Sequence, residues 1–146
     1  MLFRSARQAI LDGEITALDA QGRPNFELLQ KRIHVADSSA IARLSRSYPA
    51  VFYAFDLLYL DGHDLRPVPL AERKKLLREI LTPGDVIRYS EHFADDPAHL
   101  LEALRAQGLE GIVGKRARSR YESRRSADWV KWKIADRKST RLNSSH

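Results

Sequence analysis

The sequence predicts an α+β fold, antiparallel or mixed sheets with helices packed outside them. Three observations carry this: two-residue apolar alternation in separate stretches, helical periodicity between those stretches, and turn chemistry at the junctions. Ile10 to Leu18 alternates as a strand, with Leu11, Gly13, Ile15 and Ala17 on an apolar face and Asp12, Glu14 and Thr16 on a polar one. Residues 19–24 form a turn, and Asn25 caps a short helix carrying Phe26, Leu29 and Ile33. The polar, serine-rich residues 34–50 are expected to be a surface connection. Val51 to Leu60, VFYAFDLLYL, is the most apolar stretch and predicts a strand buried on both faces. Asp56 lies inside it, and a carboxylate in such surroundings costs several kcal/mol unless it is paired or sits at an opening.

Asp61-Gly62 marks a tight turn. Pro69 to Leu81 predicts an amphipathic helix buried through Leu70, Leu77 and Leu81, and Val86 to Ser90 a short strand. A second helix follows, with Asp96 as cap, Pro97 first, Leu100, Leu101 and Leu104 as its stripe and Gly108 as terminator. Leu109 to Arg116 is a glycine-interrupted strand, and Trp129 to Ile134 another. The final residues, 136–146, have one apolar side chain and no periodicity; they are expected to be a disordered, non-native tail outside a folded unit of residues 1–135.

The chain has 146 residues, of which 43% are hydrophobic, enough for one domain with a core. Cysteine is absent, which excludes disulfides, thiolate nucleophiles and cysteine-bound zinc. No apolar run is long enough to cross a bilayer and no secretory leader is visible, so a cytoplasmic setting without a membrane partner is expected. The net charge of +6 is unevenly placed. Residues 1–114 hold 14 Lys/Arg and 16 Asp/Glu, whereas residues 115–138 hold 10 Lys/Arg against three carboxylates. Such a basic segment suits a polyanion, and suits equally a solvated loop.

In WVKWKI, Trp129, Lys131 and Lys133 share one face and Val130, Trp132 and Ile134 form an apolar other face. Two neighbouring ammonium groups repel, so a fixed anion such as phosphate would stabilise the pair; a lysine-guarded edge strand is the alternative. Glu110 and Lys115 flank a strand whose Gly111 and Gly114 permit close approach of a ligand. Glu110 and Glu14 are suitable oxygen donors to a divalent cation, and Glu14 equally to a sugar hydroxyl. Phe55 alone reads as core. The five histidines lack metal spacing, and neither a GxxxxGK[ST] loop nor a GxGxxG fingerprint is present.

LDGEITALD, FYAFDLLYLDG, LEGIVGKR and WVKWKI occur in the order and approximate spacing of motifs III, IIIa, IV and V of the covalent nucleotidyltransferases. Over roughly residues 8–135 the chain resembles the catalytic, adenylating domain of ATP-dependent DNA ligases. DGRPNF and PLAERKKLL resemble the bacterial end-joining ligase domain in particular. The resemblance implies a nucleotidyltransferase fold with a nucleotide groove between sheets. It also implies ATP, as its AMP moiety, and Mg2+ or Mn2+ as cofactors. Nicked or broken double-stranded DNA and end-joining repair proteins are the implied partners, in a bacterial cytoplasm at the nucleoid.

In that family a lysine attacks the ATP α-phosphate, AMP passes from lysine to a DNA 5′-phosphate, and a 3′-hydroxyl displaces it. By motif, Glu14 would contact ribose or support the metal, and Phe55 would stack on adenine. Glu110 would take part in metal coordination, Lys131 and Lys133 would hold the α-phosphate, and Lys115 would neighbour phosphate or adenine. The basic loop 115–125, with Tyr121 among its arginines, would lie near DNA phosphates.

The sequence departs from the family in two respects. The first is that no lysine precedes Lys31 and no Lys-x-Asp-Gly occurs anywhere. The OB-fold domain that follows motif V in the family is also not in the sequence. The chain alone is therefore expected not to form lysyl-AMP, and an unpaired sheet edge is expected to lower its solubility. Two other readings use the same residues: an RNA ligase or capping-type nucleotidyltransferase, and a non-catalytic nucleic-acid-binding remnant using the basic face.

Overall fold

The structure is a computed structural model that describes residues 6–134 apart from 83, 85, 95, 107 and 108. Its elements run β1 (Ala9–Leu18), β2 (Pro24–Asn25), α1 (Phe26–Ile33), α2 (Ser38–Ser47), β3 (Ala50–Leu60), β4 (His63–Asp64), α3 (Leu70–Ile80), β5 (Ile87–Tyr89), α4 (Pro97–Ala106), β6 (Gly111–Lys115) and β7 (Trp129–Lys133). They form two sheets, as the α+β expectation requires. The larger has the order β2-β1-β3-β4, all antiparallel, with β5 added parallel to β3. The smaller is the antiparallel pair β6-β7.

β3 is central because it is the most apolar segment, and β1 and then β4 and β5 cover its two edges. Its inner side meets α3, where Ala54, Leu57, Leu60, Leu65 and Leu77 make the buried core. The β3–β4 hairpin turns on Asp61 and Gly62, both at positive φ (44° and 93°), the pair of left-handed residues that a two-residue hairpin loop needs. At Gly62, a β-branched replacement would strain the turn.

α3 buries Leu70, Arg73, Lys74 and Leu77, one turn-and-return stripe, while Leu81 stands just past its end as the cap. Two backbone donors at its start are satisfied from far along the chain: Leu70 N–H donates to the Ser119 carbonyl and Ala71 N–H to the Ala117 carbonyl, both at 2.9 Å. The second predicted helix is capped by Asp96, whose carboxylate accepts from Ala98 N–H. Gly108, its predicted terminator, lies outside the described residues, as do residues 135–146.

Two expectations are corrected. Residues 34–50 are not a plain connection, since Ser38–Ser47 form α2, with the Asp37 carboxylate accepting from Ala40 N–H at its start. The serines concealed Ala40 and Leu44, which are half-buried four residues apart. The faces of β1 and β7 also separate less cleanly than alternation implies. Ile15 is 56% exposed and Val130 46% exposed, and no residue of β7 is fully buried. Register shifts at Ile10/Leu11 and Asp12/Gly13, where β3 carries an extra residue, interrupt the regular pairing of β1, and the two-stranded β6-β7 sheet is too small to bury a whole face.

Candidate active site

The second of those register shifts falls at Phe55. Asp12 pairs with Asp56 and Gly13 with Ala54, so Phe55 is the residue that β3 carries in excess. A bulge re-aims the side chain it carries, and here the Phe55 ring meets the Lys115 ammonium, 4.2 Å from the ring centroid. The same ammonium lies 4.0 Å from the Trp129 centroid. Lys115 and Trp129 are cross-strand partners, which places both side chains on one face of the β6-β7 hairpin. Burial pushes the Lys115 ammonium below the ordinary lysine range, against the partial opposition of Asp56 and Asp12.

That face also carries Val113 with Lys131 and, one pair further along, Gly111 with Lys133. Both lysines are exposed. They open onto a cleft of about 1140 Å³ lined by Glu14 from β1, Glu110 at the head of β6, and Glu102 and Arg105 from α4. Close approach of the hairpin strands depends on glycine: a Cβ at Gly111 would lie 2.1 Å from the Trp132 carbonyl, and one at Gly114 2.2 Å from the Trp132 ring. Gly13 serves the larger sheet likewise, where a Cβ would meet the Tyr53 carbonyl at 2.3 Å.

The six residues singled out in the sequence thus fall into two neighbouring groups. Glu14, Glu110, Lys131 and Lys133 line the cleft; Phe55 and Lys115 touch each other beside Trp129. Among the described residues no three His, Asp or Glu side chains are grouped to hold a metal ion. Of the three carboxylates that line the cleft, Glu14 and Glu110 are the pair the sequence marked, and such a pair fits Mg2+, which takes one or two protein carboxylates and completes its shell with phosphate oxygens and water.

What holds the hairpin to the larger sheet is a buried network not anticipated from the sequence. Asp56 is paired: its oxygens accept from Arg73 Nε at 2.7 Å and Nη2 at 2.9 Å, and both side chains are fully buried. Arg73 Nη1 donates onward to the carbonyls of Val68 and Ser119. The guanidinium also sits 5.9 Å from the Tyr121 ring centroid. Tyr121 donates its hydroxyl to Asp12 at 2.8 Å, its N–H to the Arg66 carbonyl, and packs edge-on against Trp129. Tyr121 therefore points inward from the basic loop, tying it to β1 two residues before Glu14, while Arg118, Arg120, Arg124 and Arg125 remain exposed. The readable signal was helical spacing: Leu70, Arg73, Lys74 and Leu77 lie at i, i+3, i+4 and i+7, the pattern of a buried stripe with two cations in it.

Burial, and then the hydrogen bond to the Asp12 carboxylate, push the Tyr121 phenol up to about 12. Because the folded value is raised, its contribution to stability is whole below the ordinary tyrosine range near 10 and is lost as pH rises through about 12. In a spectrophotometric alkaline titration of the five tyrosines the last step, at about 12, should belong to Tyr121, with Tyr89 also raised by burial. Tyr121→Phe should remove that late step; its persistence in the variant would assign it elsewhere.

Comparison with known proteins identifies the family that shares this fold. Residues 1–133 match the family described as the ATP dependent DNA ligase domain. The chain belongs to that family. Among curated ligase relatives, the multifunctional non-homologous end joining protein LigD of Pseudomonas aeruginosa is 42% identical over 125 residues, covering 84% of this chain and 14% of that protein. A DNA ligase of Pyrobaculum arsenaticum is 36% identical over 137 residues, covering 88% of the chain and 23% of the relative. The chain therefore spans less than a quarter of the length of these ligases.

Solved ligase structures agree in fold. The ligase domain of Mycobacterium tuberculosis LigD superposes with a TM-score of 0.67 at 36% identity, covering 86% of this chain and 37% of that one. A mycobacterial DNA ligase D complexed with ATP and MES gives the same TM-score and identity, covering 84% and 37%. The expected nucleotidyltransferase fold is borne out, and the family is one of enzymes that join DNA.

Proposed function

We propose that this chain forms the walls of the adenylate pocket of an ATP-dependent DNA ligase that seals nicks or breaks in DNA repair and recombination. The observation that carries this reading is the convergence of Glu14, Glu110, Lys131 and Lys133 on one cleft. Lys131 and Lys133 hold the α-phosphate, where negative charge redistributes as AMP moves from lysine to the DNA 5′-phosphate. Cations fixed on a strand stabilise that charge with little reorganisation. Glu14 and Glu110 hold Mg2+ or Mn2+, which when bound screens the phosphates against one another; Glu14 also reaches the ribose. Phe55 supplies the stacking face for adenine, and Lys115 is its neighbour.

The exposed arginines of the basic loop face the phosphates of nicked or broken duplex DNA. Arg118, Arg120 and Arg125 have no ion pair among the described residues, while Arg116 is bridged to Asp128 and Arg124 to Glu122. Residues 1–135 are read as part of an adenylation domain, working with end-joining repair proteins in a bacterial cytoplasm at the nucleoid. No helix among the described residues is long and apolar enough to cross a membrane.

Two measurements test the reading. Because the sequence has no Lys-x-Asp-Gly, the 146-residue chain incubated with α-labelled ATP and magnesium should take up no covalent label. The full-length gene product should form a labelled band and seal nicked DNA in preference to nicked RNA. Preference for RNA would favour the RNA-ligase alternative, and salt-sensitive DNA binding with no ATP-dependent sealing would favour a binding remnant.

A further inference from the structure

We propose that Lys115 occupies the base-stacking slot while no nucleotide is bound, and that it selects intact nucleotides over nucleosides because only a phosphate-bearing ligand compensates its displacement. The proposal rests on the reading of Phe55 as the adenine platform.

Its Nζ sits over two ring faces at once, 4.2 Å from the Phe55 centroid and 4.0 Å from that of Trp129. Those faces are the surfaces on which a flat base would stack, so ammonium and base compete for the same area. No carboxylate anchors the ammonium: Lys115 has no ion pair among the described residues, the Asp56 carboxylate is held by Arg73, and Asp12 accepts from Tyr121. A cation held by rings in a half-buried site leaves more readily than one locked in a bidentate pair.

Where the ammonium would go is set by register. Lys115, Lys131 and Lys133 share one face of the hairpin, since their partners in the ladder are Trp129, Val113 and Gly111. A displaced Lys115 therefore swings along the face that the two phosphate-directed lysines already occupy. A nucleotide that fills the slot delivers its phosphates to this face, and the freed ammonium gains an anion. Adenosine fills the slot and offers nothing in exchange. The pocket thus discriminates through the cost of its own occupant, a form of specificity by an opposing contact.

The test uses the 146-residue chain with adenosine and with ATP, affinities being read by calorimetry. Lys115→Ala should tighten adenosine binding about 3- to 30-fold, leave ATP binding equal or weaker, and so cut the ATP-to-adenosine preference at least about tenfold. Lys115→Arg, which keeps a cation over the rings, should retain the preference. Unchanged or weaker adenosine binding in Lys115→Ala, with loss of adenosine binding in Phe55→Ala, would overturn the role of Lys115 and leave the adenine platform standing. Adenosine binding indifferent to Phe55→Ala, or absent from every variant, would overturn the platform and the proposal with it. Should Lys115→Ala fail to fold, the wild-type chain reports the same event by NMR. The Lys115 ε-methylene protons, shifted by two rings, should return toward free-lysine positions as ATP saturates the site. Protons that stay shifted at saturation would refute the displacement.

Discussion

Replacing Arg73 with alanine should destabilise the fold by about 3–5 kcal/mol, the cost of leaving a buried charge uncompensated. Arg73 and Asp56 are both wholly inaccessible to solvent and meet through two short parallel bonds. With the guanidinium gone, the carboxylate stays fully buried, with the Leu57 N–H as its remaining donor among the described residues. The carbonyls of Val68 and Ser119 lose a donor at the same time. Since a domain of this size has about 5–15 kcal/mol in all, the urea midpoint should fall by more than about 1 M. A shift below about 0.5 M would mean the pair is not the anchor that its geometry indicates. Replacing both partners with apolar residues, Asp56→Leu with Arg73→Met, should recover most of the loss, because desolvation of two charges is then avoided. The recovered fold should still be impaired at the cleft. Ser119 and Tyr121 would have lost the guanidinium that holds the basic loop against α3, so stability and site geometry should separate in this pair of variants.

That separation explains what the sequence could and could not disclose. The strands were legible because β1, β3, β6 and β7 each carry their own alternation or apolar run, and Asp61-Gly62 fixes a hairpin by its own backbone preference. The order of β1 and β3, and which residue of β3 is in surplus, depend on pairing between distant segments. Phe55 therefore read as core from its own surroundings and as a stacking face only through the motif resemblance, while its place on a bulge follows from register. Asp56 announced a problem through its surroundings, but its solution, Arg73, lies 17 residues away on a helix. Tyr121 was counted among cations facing outward; its inward turn follows from Asp12, 109 residues earlier. Glu14, Glu110, Lys131 and Lys133 were marked by strand pattern and charge, and motif resemblance gave them their roles. Strand periodicity explains why the lysines share a face, but only the folded arrangement brings the carboxylates into the same cleft.

In the full-length gene product, the proposed function predicts that Lys131→Ala and Lys133→Ala each lower the rate of nucleotidyl transfer about 10²- to 10³-fold, the usual consequence of removing one preorganised charge donor from a transition state. The double variant should fall by less than the product of the two losses, because both ammonium groups serve one phosphate and act as a unit. Folding should be indifferent. Both side chains are exposed on β7, neither makes an ion pair among the described residues, and removing one relieves repulsion between like charges two residues apart. The melting temperature should therefore stay at or slightly above that of the parent while kcat collapses. The decisive readout is the step affected: a role at the α-phosphate predicts loss both of enzyme adenylation and of AMP transfer to a nicked duplex, with DNA binding largely retained. Loss of DNA affinity with adenylation intact would instead make the two lysines part of the polyanion surface, and loss of neither would leave the edge-strand explanation of the pair in place of the phosphate one.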